Sequence, residues 1–347
     1  MKLSDQLNIL SRLTLRRILN AAKVLAGYYF SKWTKKVHHW GMPISIAIEP
    51  TTSCNLRCPE CPSGLRSFTR ETGMLDETFF KTVIDELHKE IFYLIFYFQG
   101  EPYLNPKFLD MVKYAVGKKI YTATSTNAHY LDDVSAKATV ESRLDRLIIS
   151  IDGTTQMSYE SYRIGGDLQK VIDGTKNILK WKRQLNSKTP YVIFQFVVFR
   201  QNEHEVEEIK KLGNEIGVDE IKIKSAQIYD YENGNDRIPL NEKYSRYKKA
   251  SLLTTPGPFS PLHLERGLRG EAGCWKMWNS CVITWDGKVV PCCFDKDAKH
   301  QLGDVKEKKF ESIWHGEAYK NFRAALLKSR KEIDICRNCS EGAKVWV

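Results

Sequence analysis

The chain is predicted to be α/β: a parallel sheet with covering helices, followed by a small cysteine-rich α+β unit built on a β-hairpin. Three observations carry this. Six strand-like runs alternate with helical stretches through residues 44–225, nine cysteines fall into two widely separated groups, and Asp286-Gly287 sits between two β-rich stretches. Strands joined through helices return to their sheet in the same direction, so the alternation implies right-handed crossovers and parallel pairing. An Asp-Gly pair flanked by apolar alternation is a strong two-residue hairpin signal.

The strand-like runs are Ile44–Glu49, Tyr93–Gln99, Ile120–Ser125, Arg146–Ile151, Tyr191–Phe199 and Glu220–Ser225. Helical stretches are expected over Asp76–Lys89, Pro106–Gly117, Asp132–Val140, Ser158–Gln184 and Glu203–Ile216. An open doubly wound sheet would alternate in the same way, so the period does not by itself choose the architecture. The hairpin at Asp286-Gly287 would pair Trp285 with Lys288 and place Cys281 opposite Cys292. Cys292 and Cys293 then point to opposite faces, so at most one comfortably reaches a shared site.

Length and composition fit a soluble globular chain: 347 residues, 42% hydrophobic, 27% charged. The net charge of +11 is concentrated at the start. Residues 1–40 carry Lys2, Arg12, Arg16, Arg17, Lys23, Lys32, Lys35 and Lys36 against the single acid Asp5. No apolar run there is long enough to span a membrane, and the arginines interrupt any cleavable signal core. Leu7, Leu10, Ile18, Ala22, Leu25 and Tyr29 recur at helical steps. Two readings of this arm stand: docking on an anionic membrane surface or acidic partner, or packing the stripe on the body with the charges solvated. The second is preferred. With the charge confined to an arm and no stacking aromatics interleaved, no nucleic-acid partner is expected.

The chemistry is concentrated in Cys54-Asn-Leu-Arg-Cys58-Pro-Glu-Cys61, immediately after the first strand. Three soft thiolates on one loop leave one coordination position open, whereas a structural zinc site closes its tetrahedron with two ligand pairs. The C-x3-C-x2-C spacing resembles the signature of the radical S-adenosylmethionine (radical SAM) enzymes. The resemblance implies that these cysteines hold a [4Fe–4S] cluster whose fourth iron is chelated by S-adenosylmethionine, and that the strands form a partial (β/α)6 parallel barrel with ligands at their C-terminal ends. Downstream, C-x12-G-x4-C from Cys274 through Gly287 to Cys292, followed by Cys336-Arg-Asn-Cys339, resembles the family's C-terminal SPASM or twitch extension. It implies an auxiliary [4Fe–4S] cluster on Cys274, Cys292, Cys336 and Cys339; with no cysteine after Cys339, one such cluster is expected. The resemblance thus favours Cys292 and leaves Cys293 as a small core residue. Cys281 either lines that pocket or replaces one of the four. A zinc ribbon is the alternative for the whole region.

Further motifs follow the strands in order. Gln99-Gly100-Glu101-Pro102 resembles the family's Gly-Gly-Glu-Pro, with Gln99 in place of the first glycine. Gly100 would admit the methionyl group, and Glu101 would receive its ammonium. Ser125 and Asn127 end the third strand, Ser150 and Asp152 the fourth, the latter pair near the ribose hydroxyls. Arg163 stands where relatives often oppose the methionine carboxylate. No residue identifies the catalytic base. The organisation so implied is a basic arm over 1–43, a radical SAM core over 44–235, and a linker with the auxiliary-cluster domain over 236–347.

The resemblance implies reductive cleavage of S-adenosylmethionine to a 5′-deoxyadenosyl radical, which takes hydrogen from substrate. A four-cysteine auxiliary cluster has no open iron and would serve as an electron acceptor, so the expected reaction is oxidoreductase-type: dehydrogenation of a small polar metabolite or sugar. The alternative is peptide maturation by cross-linking or epimerisation. A non-catalytic iron–sulfur or zinc-binding protein is the reading from another class. The expected partners are the small-molecule or peptide substrate and a reductase, flavodoxin or ferredoxin as electron donor. Free thiols of this kind imply a reducing compartment, hence a cytoplasmic protein, at most peripheral to the membrane.

Overall fold

The computed structural model describes residues 3–231, 234–247, 273–337 and 339. Two helices, α1 (Leu3–Leu10) and α2 (Leu15–Thr34), precede β1 (Ser45–Ile48), the short α3 (Pro62–Leu65) and α4 (Glu77–Leu87). Then come β2 (Tyr93–Ile95), α5 (Phe108–Gly117), β3 (Tyr121–Thr126), α6 (Asp133–Glu141) and β4 (Arg146–Ser150). Helices α7 (Gln156–Glu160) and α8 (Leu168–Gln184) lead to β5 (Tyr191–Val198), α9 (Val206–Ile216) and β6 (Glu220–Ser225). The C-terminal part holds α10 (Lys276–Asn279), β7 (Ser280–Ile283), β8 (Lys288–Val290), β9 (Gly303–Asp304), α11 (Phe310–Trp314), α12 (Glu317–Lys328) and α13 (Asp334–Arg337). Most of the linker expected after residue 235 falls on 248–272, outside the described residues.

All nine strands belong to one sheet in the order β6-β5-β4-β3-β2-β1-β7-β8-β9. The first six pair in parallel and the sheet stays open. Strand β7 joins the free side of β1, also in parallel, with Ile46 opposite Cys281; β8 and β9 follow antiparallel. Alternate strand residues such as Ile46, Ile48, Leu94, Phe96, Leu147, Ile149, Phe194 and Phe196 are buried beneath the helices. Asp76, Asp132 and Asp167 cap α4, α6 and α8 by accepting from backbone N–H groups of the first turn, which is why α4 and α6 start where the sequence suggested.

Three expectations are corrected. The single helix over Ser158–Gln184 is two, because Gly165 takes φ +78° and residues 161–167 leave the helical path. The hairpin does not pair Trp285 with Lys288: Ile283 faces Val289, Thr284 N–H donates to Lys288 O at 2.9 Å, and Gly287 (φ +100°) closes a three-residue loop. This one-residue shift takes Cys281 out of register with Cys292.

The third concerns the arm. Helix α2 does pack on the body, but not through the stripe expected to do so: Leu7, Leu10, Ile18, Ala22 and Tyr29 are all exposed, and only Leu25 is half-buried. The inward face is Arg17, Asn20, Val24, Gly27, Tyr28 and Ser31. Its polar members are all satisfied. Asn20 exchanges bonds with Met42 O and N (2.9 and 2.8 Å), Ser31 bonds His38, and Arg17 donates to the carbonyls of Arg12, His88 and Lys119. A polar face thus packs inward because every buried group finds a partner, an outcome apolar periodicity cannot register. Helix α1 sends Asp5 under the sheet to accept from Tyr121 Oη and Arg146, beside the Tyr93–Tyr121 stack. This group plugs the N-terminal end of the strands.

Candidate functional site: two cysteine clusters on one sheet

The C-terminal ends of β1 to β4 converge on the first cysteine loop, and each thiol is met from the segment that follows a different strand. Asn127 Nδ2, after β3, lies 3.9 Å from Cys54 Sγ; Arg163 Nη1, from the loop between α7 and α8, lies 3.8 Å from Cys58 Sγ; Gln99 Oε1, after β2, lies 3.9 Å from Cys61 Sγ. The broken helix therefore has a purpose: the glycine-bearing loop carries Arg163 to Cys58. Burial raises the Cys54 thiol to about 11 and raises Cys58, which the Arg163 guanidinium opposes. Loading of metal onto these thiols must release protons.

Around the loop the other motif residues are close but largely engaged. Gly100 has φ +73°, its N–H donates to Ser63 Oγ (2.9 Å), and a Cβ there would meet Thr51 O at 2.3 Å. Glu101 is buried. Its carboxylate accepts from Thr126 Oγ1 (2.7 Å) and from the N–H of Asn127 (2.8 Å), and burial lifts its pKa to about 7. Ser125 and Ser150 share a hydroxyl contact of 3.3 Å on the sheet face that also carries Tyr121 and Arg146. Asp152 accepts from Arg163 Nε (2.6 Å) and Val197 N–H (2.7 Å), so it orients the guanidinium. Gly100→Ala is expected to destabilise the fold by about 2–4 kcal/mol, because clash and positive φ add; a denaturant titration measures this.

Sequence reasoning missed two participants. Gln99, noted only as a missing glycine, turns its side chain to Cys61. Glu49 is buried at the end of β1 in a two-pronged pair with Arg70 (2.5 and 2.9 Å). Trp285 N–H of the hairpin reaches the same carboxylate at 3.3 Å, and Thr69 bonds Asp297. Residues 66–75 are thereby tied to the C-terminal part beside the cysteine loop. A charged run of ordinary spacing gives no signal for such a pairing.

The second group gathers around a separate, largely apolar cavity, with Lys276 and Arg330 also in its lining. Cys274, Cys292, Cys336 and Cys339 line it together with Met277, Phe294, Phe322 and Leu326. Burial and the neighbouring thiols push Cys336 up to about 12. Cys281 stands apart, fully buried against Tyr319 and Arg323, so it does not line this pocket; Cys293 is exposed rather than the small core residue expected. Four soft donors in an apolar wall suit iron–sulfur ligation.

Two family models match the chain: the Radical SAM superfamily over residues 48–213 and SPASM, an iron-sulfur cluster-binding domain, over residues 274–340. The chain belongs to the radical SAM superfamily. This radical SAM enzyme takes a [4Fe–4S] cluster with S-adenosylmethionine, and its SPASM domain binds auxiliary iron–sulfur. It is 26% identical to a tungsten-containing aldehyde ferredoxin oxidoreductase cofactor-modifying protein of Pyrococcus furiosus, over 85% of this chain and 86% of that protein. It is also 26% identical to the PqqA peptide cyclase of Gluconobacter oxydans, over 88% and 84%. Its fold matches Streptococcus suis SuiB bound to S-adenosylmethionine with a TM-score of 0.63 and 14% identity, over 91% of this chain and 76% of SuiB.

Proposed function

We propose that this radical SAM enzyme is a maturase that modifies a peptide. The observation that carries this reading is the near full-length match to the PqqA peptide cyclase, joined by the solved complex of SuiB with the precursor peptide SuiA; the match to a cofactor-modifying protein supports a modification enzyme without naming a peptide. Dehydrogenation of a small polar metabolite, the expectation from the sequence, takes second place, since neither relative is a metabolite dehydrogenase by name.

In this proposal Cys54, Cys58 and Cys61 ligate the catalytic cluster. Gly100, Glu101, Ser125, Asn127, Ser150, Asp152 and Arg163 surround S-adenosylmethionine. Cys274, Cys292, Cys336 and Cys339 hold one auxiliary cluster, with all four irons protein-bound. When bound, the cofactors together supply a group that abstracts hydrogen from an unactivated C–H bond. The protein's own residues position and exclude. Asp152 fixes Arg163 against Cys58, Asn127 orients toward Cys54, and the Glu49–Arg70 pair with Trp285 holds residues 66–75 over the site against water. The division of the chain at residues 43 and 235 belongs to the same proposal, as do a cytoplasmic setting and a flavodoxin, ferredoxin or reductase donor.

The test presents anaerobically reconstituted enzyme, S-adenosylmethionine and dithionite with short peptides encoded beside the gene, deuterated at one residue type at a time. Deuterium is expected to pass from peptide to 5′-deoxyadenosine, with the peptide losing hydrogens or inverting one centre. Transfer from sugars or alcohols with none from any peptide would return the reaction to metabolite oxidation.

A further inference from the structure

The outward face of the N-terminal helices has no role in the chemistry above. Of the eighteen large hydrophobic side chains that stand exposed among the described residues, ten lie between Leu3 and Trp40, so the apolar surface is concentrated on this short arm. On α2, Leu15, Ile18, Leu19, Tyr29, Phe30 and Trp33 recur at helical steps and face away from the buried side. Trp33 is 78% exposed and Leu15 73%. Leu3, Leu7 and Leu10, at helical steps on α1, are exposed as well.

The charges around it are predominantly basic, with Arg16 paired to Glu90 at 2.6 Å. Helix α2 contains no acid, and the arm's single carboxylate, Asp5, is buried under the sheet with Arg146. Arg16 and Lys23 flank the apolar stripe on one side, Lys32 lies on the other, and Lys35 and Lys36 follow its end. Apolar side chains in the middle, long cations on the flanks and exposed Trp and Tyr at one end are the composition of a helix that lies in a bilayer interface. A two-fold contact between copies would set the same cations against one another, which disfavours a second copy as the occupant. No helix of the described residues is long and apolar enough to cross a membrane.

We propose that the outward face of α1 and α2 docks the enzyme on an anionic lipid bilayer. The face is held rigidly, because the opposite side of α2 is fixed by Asn20–Met42, Ser31–His38 and the packing of Tyr28 on Trp275 and Trp278. Helix α1 closes the N-terminal end of the strands, whereas the cysteine loop opens at their C-terminal ends. Docking therefore leaves the site free to receive substrate.

The test is co-sedimentation of the full, cluster-reconstituted chain with vesicles of phosphatidylcholine alone or with about one third phosphatidylglycerol. Binding is expected to the anionic vesicles and to weaken with salt. Leu19→Glu with Trp33→Glu should reduce it by at least about tenfold, while iron content and 5′-deoxyadenosine formation stay unchanged. No sedimentation with anionic vesicles, or equal sedimentation of the variant, would overturn the proposal. Self-association in the absence of lipid that the same substitutions abolish would also overturn it and assign the face to a second copy.

Discussion

Cys58→Ala is expected to reduce S-adenosylmethionine cleavage by on the order of a hundredfold or more, to the background of the assay. Of the three loop thiols Cys58 is the most deeply placed, at 5% exposure, and it alone faces a guanidinium. Its removal takes away a proposed ligand and also leaves Arg163 facing an apolar methyl. Two remaining thiolates cannot retain a cubane whose fourth position is already given to an exchangeable ligand. Chromatography of 5′-deoxyadenosine after dithionite reduction reads the loss, and iron analysis should show about four fewer irons per chain. Full cleavage in this variant would mean that the proposed ligand set is wrong.

The second large effect separates the two sites. Cys336→Ala should abolish substrate modification while leaving much of the uncoupled cleavage, because its cavity is walled apart from the first loop and shares no side chain with it. Buried cysteine to alanine in an apolar wall costs little packing, so the fold should survive. The two quantities are measured on the same sample: 5′-deoxyadenosine without substrate and product with it. Equal loss of both would make the auxiliary cluster a structural staple rather than an electron carrier.

Much of this was legible beforehand, for local reasons. Apolar, β-rich runs located all six core strands within a few residues at each end, because a parallel strand covered on both faces reads as a near-continuous apolar run. The cysteine spacings were readable because ligand loops are short and contiguous. What could not be read depends on pairing through space. An Asp-Gly pair serves both two-residue and three-residue hairpins, and the choice fell to the bonds between Thr284 and Lys288. Glu49 and Arg70 are twenty-one positions apart, with nothing in either to announce the other. The arm misled most: most of its apolar stripe marks the side that packing did not use, since the inward side combines Val24 and Tyr28 with hydrogen-bonded Arg17, Asn20 and Ser31.

The ladder between β1 and β7 has a consequence for how a large substrate enters. The strand that launches the first cysteine loop is bonded, residue for residue, to the strand that leads into the hairpin before Cys292. Parting the two units like a clamshell would strip that ladder and lay bare two sheet edges at once. The spacing between the two redox centres is thus set by strand pairing, as rungs set the gap between rails. If the substrate is a peptide, as proposed, it must thread past loops rather than wait for a hinge, so its reach and flexibility near the modified residue become selection criteria in themselves.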